Sequence, residues 1–503
     1  MTLVADVRHL LEAARHELAG SGVETEIDGL LTRLDGPLRV AIAGRVKAGK
    51  STLLNALVGS HVAATDAREC TRIVTWYRHG PTHAATALLR SGANEPLSLE
   101  ADDNGLTIEL GATQVDDVHA IHVFWPSDRL QTMSLIDTPG VGSMTPDASA
   151  RSYEFLGGSG QEAEADAVLY LLKHLHSADL DLLSAFHDEE VSHPNPVNAI
   201  GILSRADEIG AGRLDAMESA SRVAERISSV PTIRRLVSSV LPVCGLLAET
   251  AATLRDDEYE LLARIAALPH DQRGPALLSV ERFRALNNVD GLGADERERL
   301  LARFAIFGLR SSIAAIAGGA ATSPSDLAHL LHRLSGIAAV RQLLDSVFAE
   351  RGDVLKARSA LVGLGAALER VPEAEATPEL FRQLEQLVAS AHEIAELRAL
   401  SSMRLGLLDE DEHLLVEAER LVGGNGHAPE RRLAMLDAST NQQMLDEANE
   451  RLAAWQRRAE HPLSSKDLVS LCRVVVRSCE GLISSLLAAQ ATHPPTTHPS
   501  AGD

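Results

Sequence analysis

The clearest chemistry in this sequence lies in a glycine-rich segment of eight residues with the pattern G-x-x-x-x-G-K-[S/T]. These residues are Gly44, Arg45, Val46, Lys47, Ala48, Gly49, Lys50 and Ser51. In this pattern, backbone N–H groups turn toward the phosphates of a nucleotide, the lysine reaches the β- and γ-phosphates, and the serine hydroxyl can ligate Mg²⁺. Apolar residues 39–43 precede the segment, and a helical pattern beginning at Thr52 follows it. This order predicts a nucleotide-binding loop that includes Thr52, rather than a plain glycine turn.

A second segment, Asp137-Thr138-Pro139-Gly140, follows the apolar residues 133–136. An aspartate and a glycine at this spacing after a strand are typical of phosphoryl-transfer sites. The carboxylate holds Mg²⁺ through water, and the glycine N–H senses the γ-phosphate. The alternative is an ordinary turn. Given the spacing from Lys50, we predict that Asp137 is an indirect Mg²⁺ ligand and that Lys50 and Gly140 act in catalysis.

Residues 70–75, between these two segments, contain two threonines, Thr71 and Thr75. A hydroxyl here would complete the Mg²⁺ shell begun by Ser51 and position the attacking water. We predict that Thr71 does so. Thr75 is the competing candidate, because alternate residues in a following strand also project usefully. Both could instead be ordinary strand residues.

Base recognition is predicted at the end of the apolar stretch 199–203, where Ser204, Arg205 and Asp207 follow. A carboxylate at this point can accept hydrogen bonds from the N1–H and the exocyclic amine of guanine. Adenine has no donor at N1 and would leave that carboxylate without a partner. GTPases usually have N/T-K-x-D here, and the planar stem of Arg205 can stack on a base as a lysine stem does. We therefore predict GTP rather than ATP as the nucleotide.

Up to about residue 248, strand-like and helix-like stretches alternate. The pattern predicts an α/β domain with a mostly parallel sheet and helices on both faces. The candidate strands are residues 39–43, 72–78, 119–125, 132–137, 167–172, 197–203 and 239–244. A helical pattern over about the first 34 residues precedes them.

The rest of the chain, to residue 488, is rich in Ala, Leu, Glu and Arg and has helical periodicity. Glycine and proline breaks divide it into four stretches, residues 276–318, 325–371, 379–422 and 429–488. The two middle stretches would each span roughly 65–70 Å as straight helices. We predict an elongated all-helical bundle, with a compact domain of bent helices as the alternative.

The overall composition excludes several classes of protein. A chain of 503 residues is too long for one core, and a net charge of -23 argues against a general DNA or RNA binder. No apolar run approaches the ~18 residues of a membrane span, and the first residues lack a signal-peptide core. We expect a cytoplasmic protein that binds no DNA.

With these motifs in place, the sequence resembles the dynamin superfamily, specifically the bacterial dynamin-like GTPases. The resemblance rests on residues 44–51, 70–71 and 137–140, on Asp207 and on the helical region 327–344. We assign the chain to N-terminal helices of a neck (1–36), a GTPase domain (37–248), a helical neck and trunk (249–488) and a disordered tail (489–503).

This resemblance implies GTP/GDP and Mg²⁺ as ligands, pairing of GTPase heads and membrane remodelling through the tip of the trunk. The implied partners are anionic membrane lipids at the inner face of the plasma membrane, a second copy of the chain and a related dynamin-like protein. Two residues depart from the usual pattern. Val46 stands where eukaryotic dynamins have a polar glutamine, and Arg205 replaces the usual lysine.

The loops at residues 318–325 and 423–433 would form the tip. Arginines beside apolar residues suit anionic headgroups. The candidate lipid-contacting residues are Arg420, Leu421, Val422, Arg431 and Arg432. The alternative is helix-cap chemistry, with glycines as C-caps and arginines on a solvated face.

The predicted function is Mg²⁺-dependent GTP hydrolysis coupled to membrane fission, fusion or repair. One alternative is a switch GTPase whose helical part docks protein or RNA partners. The other is a nucleotide-gated structural scaffold with little turnover.

Overall fold

The computed structural model describes most of the chain and divides it into two compact units. One unit comprises residues 35–344, and the other comprises residues 1–34 and 345–503. The described residues are 2–63, 73–102, 105–111, 113–140, 164–173, 198–234, 236–287, 289–345, 351–371, 378–404, 408–424, 426–436 and 439–492. Thr71 lies outside these residues, as does the predicted disordered tail apart from residues 489–492.

The unit of residues 35–344 contains a mixed ten-stranded sheet with the order β10-β9-β8-β1-β7-β2-β6-β3-β4-β5. Its strands are β1 (Leu38–Gly44), β2 (Val74–His79), β3 (Ala84–Leu89), β4 (Asn94–Asp102), β5 (Gly105–Glu109), β6 (Val118–Trp125), β7 (Met133–Asp137), β8 (Ala167–Leu172), β9 (Ala199–Ser204) and β10 (Val240–Val243). Strands β10, β9, β8, β1 and β7 are parallel, whereas β2 runs antiparallel to β7. Strand β2 is parallel to β6, whereas β3, β4 and β5 form antiparallel pairs. The α/β prediction is confirmed, and the sheet is mixed.

Strand β1 lies between β7 and β8 in the parallel part, with Ile42 opposite Asp137 of β7 and Gly44 opposite Leu171 of β8. Its residues are buried almost throughout, as expected for a strand covered on both faces. Parallel neighbours end at the same edge of a sheet, which is where ligands bind in open α/β folds. The ends of β1, β7 and β9 therefore place the three predicted motifs along one edge.

Helices make up most of the remaining described chain. In chain order they are α1 (Leu3–Glu17), α2 (Glu24–Asp35), α3 (Lys50–Val58), α4 (Asp128–Thr132), α5 (Ala216–Ser228), α6 (Pro231–Arg234), α7 (Gly245–Ala252), α8 (Asp256–Ala266), α9 (His270–Ala276), α10 (Val280–Arg284), α11 (Ala294–Ala317), α12 (Pro324–Leu334), α13 (Ile337–Leu343), α14 (Gly352–Arg370), α15 (Pro378–Ser390), α16 (His392–Arg404), α17 (Glu412–Leu421), α18 (Pro429–Leu433), α19 (Asn441–Glu460) and α20 (Lys466–Thr492).

The helices α7 to α13 belong to the same unit as the sheet. Leu247, Phe283 and Phe304 share a buried apolar cluster with Ala216 and Cys244, which flank the last strands. The structure therefore corrects the predicted boundary at residue 248, because burial of these side chains joins the helices to the α/β part. Helix α11 is the one described helix long and apolar enough to cross a membrane, and half of its apolar window is buried in this core.

The other unit is helical in its described residues. Helices α1 and α2 pack against α14 and α15, with Val7, Leu11, Ile27 and Leu364 buried in one cluster. Their apolar side chains recur at helical spacing, so each helix buries one face. Helices α19 and α20 form a long hairpin in the same unit.

The four predicted helical stretches are interrupted more often than the sequence suggested. Within 325–371, Gly336 separates α12 from α13 in a left-handed conformation, with φ of +78°. A Cβ there would lie 2.3 Å from the carbonyl oxygen of Pro242, so close packing requires glycine. The two loops of the predicted tip, 318–325 and 423–433, belong to different units.

Candidate functional site

The phosphate loop lies between the end of β1 and the start of α3. Gly44 has φ of +143°, and a Cβ on it would lie 2.7 Å from the carbonyl oxygen of Leu171. Gly49 has φ of +95° and Lys47 has φ of +62°. These left-handed residues turn the backbone around a concave surface that ends at the N-terminus of α3. Such N–H groups, reinforced by the helix dipole, suit an anion.

Lys50 is the first residue of α3 and makes weak contacts within the protein. Its Nζ lies 3.4 Å from the carbonyl oxygen of Gly44 and 3.5 Å from that of Arg45. Burial lowers the pKa of Lys50, and the nearby Asp137 carboxylate opposes this shift. A desolvated ammonium with long hydrogen bonds gains much from an incoming phosphate.

Ser51 and Asp137, both predicted Mg²⁺ ligands, contact each other at the strand ends. The Ser51 hydroxyl donates to Asp137 Oδ2 at 2.9 Å, whereas Asp137 Oδ1 is buried without a hydrogen-bond partner among the described residues. Burial raises the pKa of Asp137, and Lys50 and Ser51 oppose this shift.

A hydroxyl and a carboxylate with an unsatisfied oxygen fit Mg²⁺, which prefers oxygen ligands. Ser51 and Asp137 are the described residues that would hold it, and the ion would neutralise charge on the β- and γ-phosphates. The predicted third ligand, Thr71, lies outside the described residues. Its competitor Thr75 is buried in β2, where its hydroxyl donates to the carbonyl oxygen of Ile73 at 3.4 Å.

Gly140 packs directly on the phosphate loop. A Cβ on Gly140 would lie 2.7 Å from Val46 Cγ2, 2.8 Å from Val46 Cα and 2.9 Å from Val46 N. Two of these three atoms belong to the backbone, so a rotamer change of Val46 would not relieve the clash. Close approach of the segment after β7 to the phosphate loop therefore requires glycine.

We expect Gly140→Ala to reduce GTP turnover by roughly 10²-fold, because the added methyl group displaces one of two segments that must meet at the γ-phosphate. The measurement is phosphate release at saturating GTP. Gly481→Ala is the matched control, since a Cβ at Gly481 in α20 meets nothing within 4 Å. Turnover of Gly140→Ala at the level of this control would contradict a role for the close contact.

Arg205 connects the base-recognition segment to the phosphate loop. Its Nη2 donates to the carbonyl oxygen of Lys47 at 3.0 Å, and its Nη1 donates to Glu208 Oε1 at 3.0 Å. Glu208 also pairs with Lys173 at 2.7 Å. These exposed pairs add little to stability, but they fix the guanidinium plane in one orientation. The sequence reasoning missed Glu208 and Lys173, although both follow directly after predicted elements.

Asp207 is buried, with 9% of its surface exposed. Burial raises its pKa, and the adjacent Cys244 thiol partly offsets this effect by hydrogen bonding. A desolvated carboxylate is stabilised by the two N–H donors of a guanine edge. Ser204 has a different role, because its hydroxyl donates to the carbonyl oxygen of Leu172 at 3.3 Å within the sheet.

A cavity of about 900 Å³ joins the phosphate loop to Asp207. This volume is within the range of small-molecule sites. On the sheet side its lining includes Gly49, Thr52, Arg205, Asp207 and Gly245. The opposite wall is helical and was not predicted; it consists of residues 278–281 with Arg284 from α10, and residues 298, 301–302, 305–306 and 310 of α11.

Three of the five predicted lipid-contacting residues are buried. Leu421 and Val422 have no exposed area, and Arg432 is 9% exposed. Arg432 donates to the carbonyl oxygens of Leu421 and Ser478, and Arg420 donates to the carbonyl oxygen of Arg432. Arg431 is half-buried. Leu421, Val422 and Arg432 therefore do not fit the predicted lipid-contacting tip, because they are buried and Arg432 binds backbone carbonyl groups.

Comparisons with known proteins identify the family that the chain resembles. Residues 40–203 match the model of the Dynamin family. Isoniazid-induced protein IniC from Mycobacterium tuberculosis is 40% identical over 467 residues, which cover 92% of this chain and 93% of that protein. Dynamin-like protein 2 from Campylobacter jejuni is 24% identical over 213 residues, 39% of this chain and 30% of that protein. A solved oligomerised bacterial dynamin pair is 15% identical, with a TM-score of 0.31, over 96% of this chain and 79% of that chain.

Proposed function

The chain belongs to the dynamin family and is a GTPase, and from this premise we propose that it couples Mg²⁺-dependent GTP hydrolysis to the remodelling of an anionic membrane. It would act at the inner face of the plasma membrane as a peripheral protein. Self-association through its GTPase units, and association with a related dynamin-like protein, are part of this proposal.

The observation that carries the catalytic part is the Ser51–Asp137 pair with its unsatisfied Asp137 Oδ1. When bound there, Mg²⁺ would offset charge that develops on the transferring phosphoryl group. Lys50 and the loop N–H groups would stabilise the same charge. Asp207 holds the guanine edge, and Gly140 keeps the segment after β7 against the loop.

The presence of Val46 in the phosphate loop leads us to expect slow GTP hydrolysis by an isolated chain. It is an apolar side chain with 45% of its surface exposed in the phosphate loop, and it has no group that could orient water. The proposed self-association would therefore raise turnover by supplying or ordering the missing polar group. Phosphate release per chain would then increase with protein concentration.

Family membership and the second, helical unit of the same chain support the membrane part of the proposal. Unlike a small switch GTPase, this chain has a second compact unit, residues 1–34 and 345–503, whose described residues are mostly helical. The proposal does not depend on Arg420, Leu421, Val422, Arg431 or Arg432, since most of these residues are buried.

We expect the protein to sediment with anionic vesicles and to change their shape when GTP is added. The measurement is co-sedimentation followed by electron microscopy, and vesicles of zwitterionic lipid serve as the control. High salt should weaken sedimentation, because exposed charges are screened. GTP hydrolysis without any vesicle binding would favour the switch GTPase with a docking scaffold, and tight GTP binding without phosphate release would favour the nucleotide-gated scaffold.

A further inference from the structure

Arg310 of α11 forms an unusually complete set of hydrogen bonds to backbone carbonyl groups. Its Nε donates to Leu277 at 2.7 Å, and its Nη2 donates to Leu278 at 2.8 Å. Its Nη1 donates to Ala211 at 3.0 Å and to Gly212 at 2.6 Å. One guanidinium therefore holds two chain segments that are far apart in sequence.

Both segments contribute to the lining of the nucleotide cavity. Ala211 and Gly212 end the loop that begins with Arg205 and Asp207, and Leu278 begins the helical wall. All of these residues line the cavity, as does Arg310 itself. Arg310 thus connects the loop that carries the guanine-reading carboxylate to the helical part of the lining.

The loop also packs closely on α11. Gly212 has φ of +66°, and a Cβ on it would lie 2.8 Å from Ile306 Cγ2. Ala305, which precedes Ile306 in α11, has φ of +48° and ψ of -176°, and these angles interrupt the helix at the cavity wall. A residue other than glycine adopts such angles only where the surrounding packing fixes them. The contact between loop and helix is therefore tightly constrained.

We propose that Arg310 is a positioning residue for guanine recognition, which holds the loop of residues 205–212 so that Asp207 faces the base edge. The inference rests on the proposed reading of guanine by Asp207. It assigns part of the nucleotide specificity to a helix about 100 residues beyond the base-recognition motif, outside the four nucleotide motifs of the sequence.

Arginine suits this role better than lysine. Its planar guanidinium presents donors in a fixed fork, so it can bind carbonyls of two segments at once. A lysine ammonium is a compact point charge with three donors, and it cannot hold four carbonyls in this arrangement. Arg310→Lys should keep the positive charge but lose the arrangement of hydrogen bonds to the two segments.

The test compares the affinities of GTP and ITP. ITP differs from GTP only in lacking the exocyclic amine, from which Asp207 would accept a hydrogen bond. The wild-type protein should bind GTP about 10- to 100-fold more tightly, because ITP leaves a buried carboxylate oxygen without its donor. In Arg310→Lys the ratio should fall to less than about threefold, since a displaced Asp207 no longer distinguishes the two bases. Equilibrium competition against a fluorescent GDP gives both affinities.

Arg303→Lys is the matched control. Arg303 lies on the same helix, bonds to Glu258 and to Thr253, and does not line the cavity. Its replacement should lower the unfolding temperature and leave the GTP to ITP ratio unchanged. A second variant, Gly212→Ala, should displace the loop while Arg310 itself is kept. It should also reduce the ratio of GTP to ITP affinity.

Three outcomes are distinguishable. An unchanged ratio in both Arg310→Lys and Gly212→Ala would overturn the role of Arg310 and leave the proposed base reading intact. An equal loss of the ratio in Arg303→Lys would show that any weakening of α11 has this effect, which would also overturn it. A wild-type ratio near one would overturn the reading of guanine by Asp207, and the inference with it.

Discussion

Replacing Lys50 with alanine is expected to reduce GTP hydrolysis by at least about 10²-fold, while the protein remains folded. The ammonium lies at the start of α3, where the phosphates would lie, and its contacts to Gly44 and Arg45 are 3.4–3.5 Å long. Burial already lowers the pKa of this lysine, so its removal from the nucleotide-free protein costs little stability. Phosphate release at saturating GTP, together with the unfolding temperature, provides the measurement.

Lys356→Ala is the matched control for this variant. Lys356 has only 13% of its side chain exposed and pairs with Asp353 in α14, outside the nucleotide-binding unit. Its loss removes a comparably buried lysine, but turnover should stay at the wild-type level. Wild-type turnover in Lys50→Ala would remove the basis for the assigned phosphate loop.

The strand, glycine-rich loop and helix of residues 38–58 could be predicted from the sequence because each of them depends on local chemistry. A buried strand followed by glycines in left-handed conformations produces much the same loop wherever it occurs. All seven candidate strands are present, from β1 at Leu38–Gly44 to β10 at Val240–Val243. The continuous apolar runs of these strands are distinctive even without knowledge of their neighbours.

The antiparallel strands β3, β4 and β5 were missed for the opposite reason. Strand β4, Asn94–Asp102, contains Pro96 and three acidic residues, so its composition resembles that of a loop. It becomes a strand because β3 and β5 pair with it on either side. Pairing of this kind is a property of partners, and the pattern of a single segment does not reveal it.

The errors at the predicted tip and at the helical wall share one physical cause. An arginine beside apolar residues has the same local pattern whether it faces lipid or binds buried carbonyls, as Arg432 does. Arg310 reaches Gly212 across 98 residues of sequence. Both outcomes depend on acceptors that the fold brings together from distant segments, so neither could be predicted from spacing.

Replacing Asp207 with asparagine is expected to change the preferred nucleotide from GTP to XTP, with a change in the affinity ratio of at least about 10²-fold. An asparagine presents one acceptor and one donor. Xanthine offers an N1–H and a carbonyl oxygen that match them, whereas the amine of guanine would face the amide N–H. Equilibrium affinities for GTP and XTP measure the change.

The same variant should also alter stability in the absence of nucleotide. Burial raises the pKa of Asp207 in the folded protein above its usual value of 3.8. The stability contributed by the protonated Asp207 carboxyl is therefore fully present below pH 3.8 and is lost as the pH rises through the raised pKa. At neutral pH the ionised, desolvated carboxylate therefore opposes folding. Nucleotide-free Asp207→Asn should unfold at a higher temperature than the wild type at pH 7, and the difference should shrink as the pH falls toward 4.

Asp215→Asn separates this effect from a general change in charge. Asp215 lies eight residues further along, pairs with Arg213 and has 46% of its side chain exposed, outside the cavity lining. Its replacement should leave the GTP to XTP ratio unchanged. If Asp207→Asn still prefers GTP, a group other than Asp207 reads the base. If that variant instead loses stability at pH 7, the Asp207 carboxylate is better satisfied in the free protein than its burial indicates, and the strain that guanine would relieve is absent.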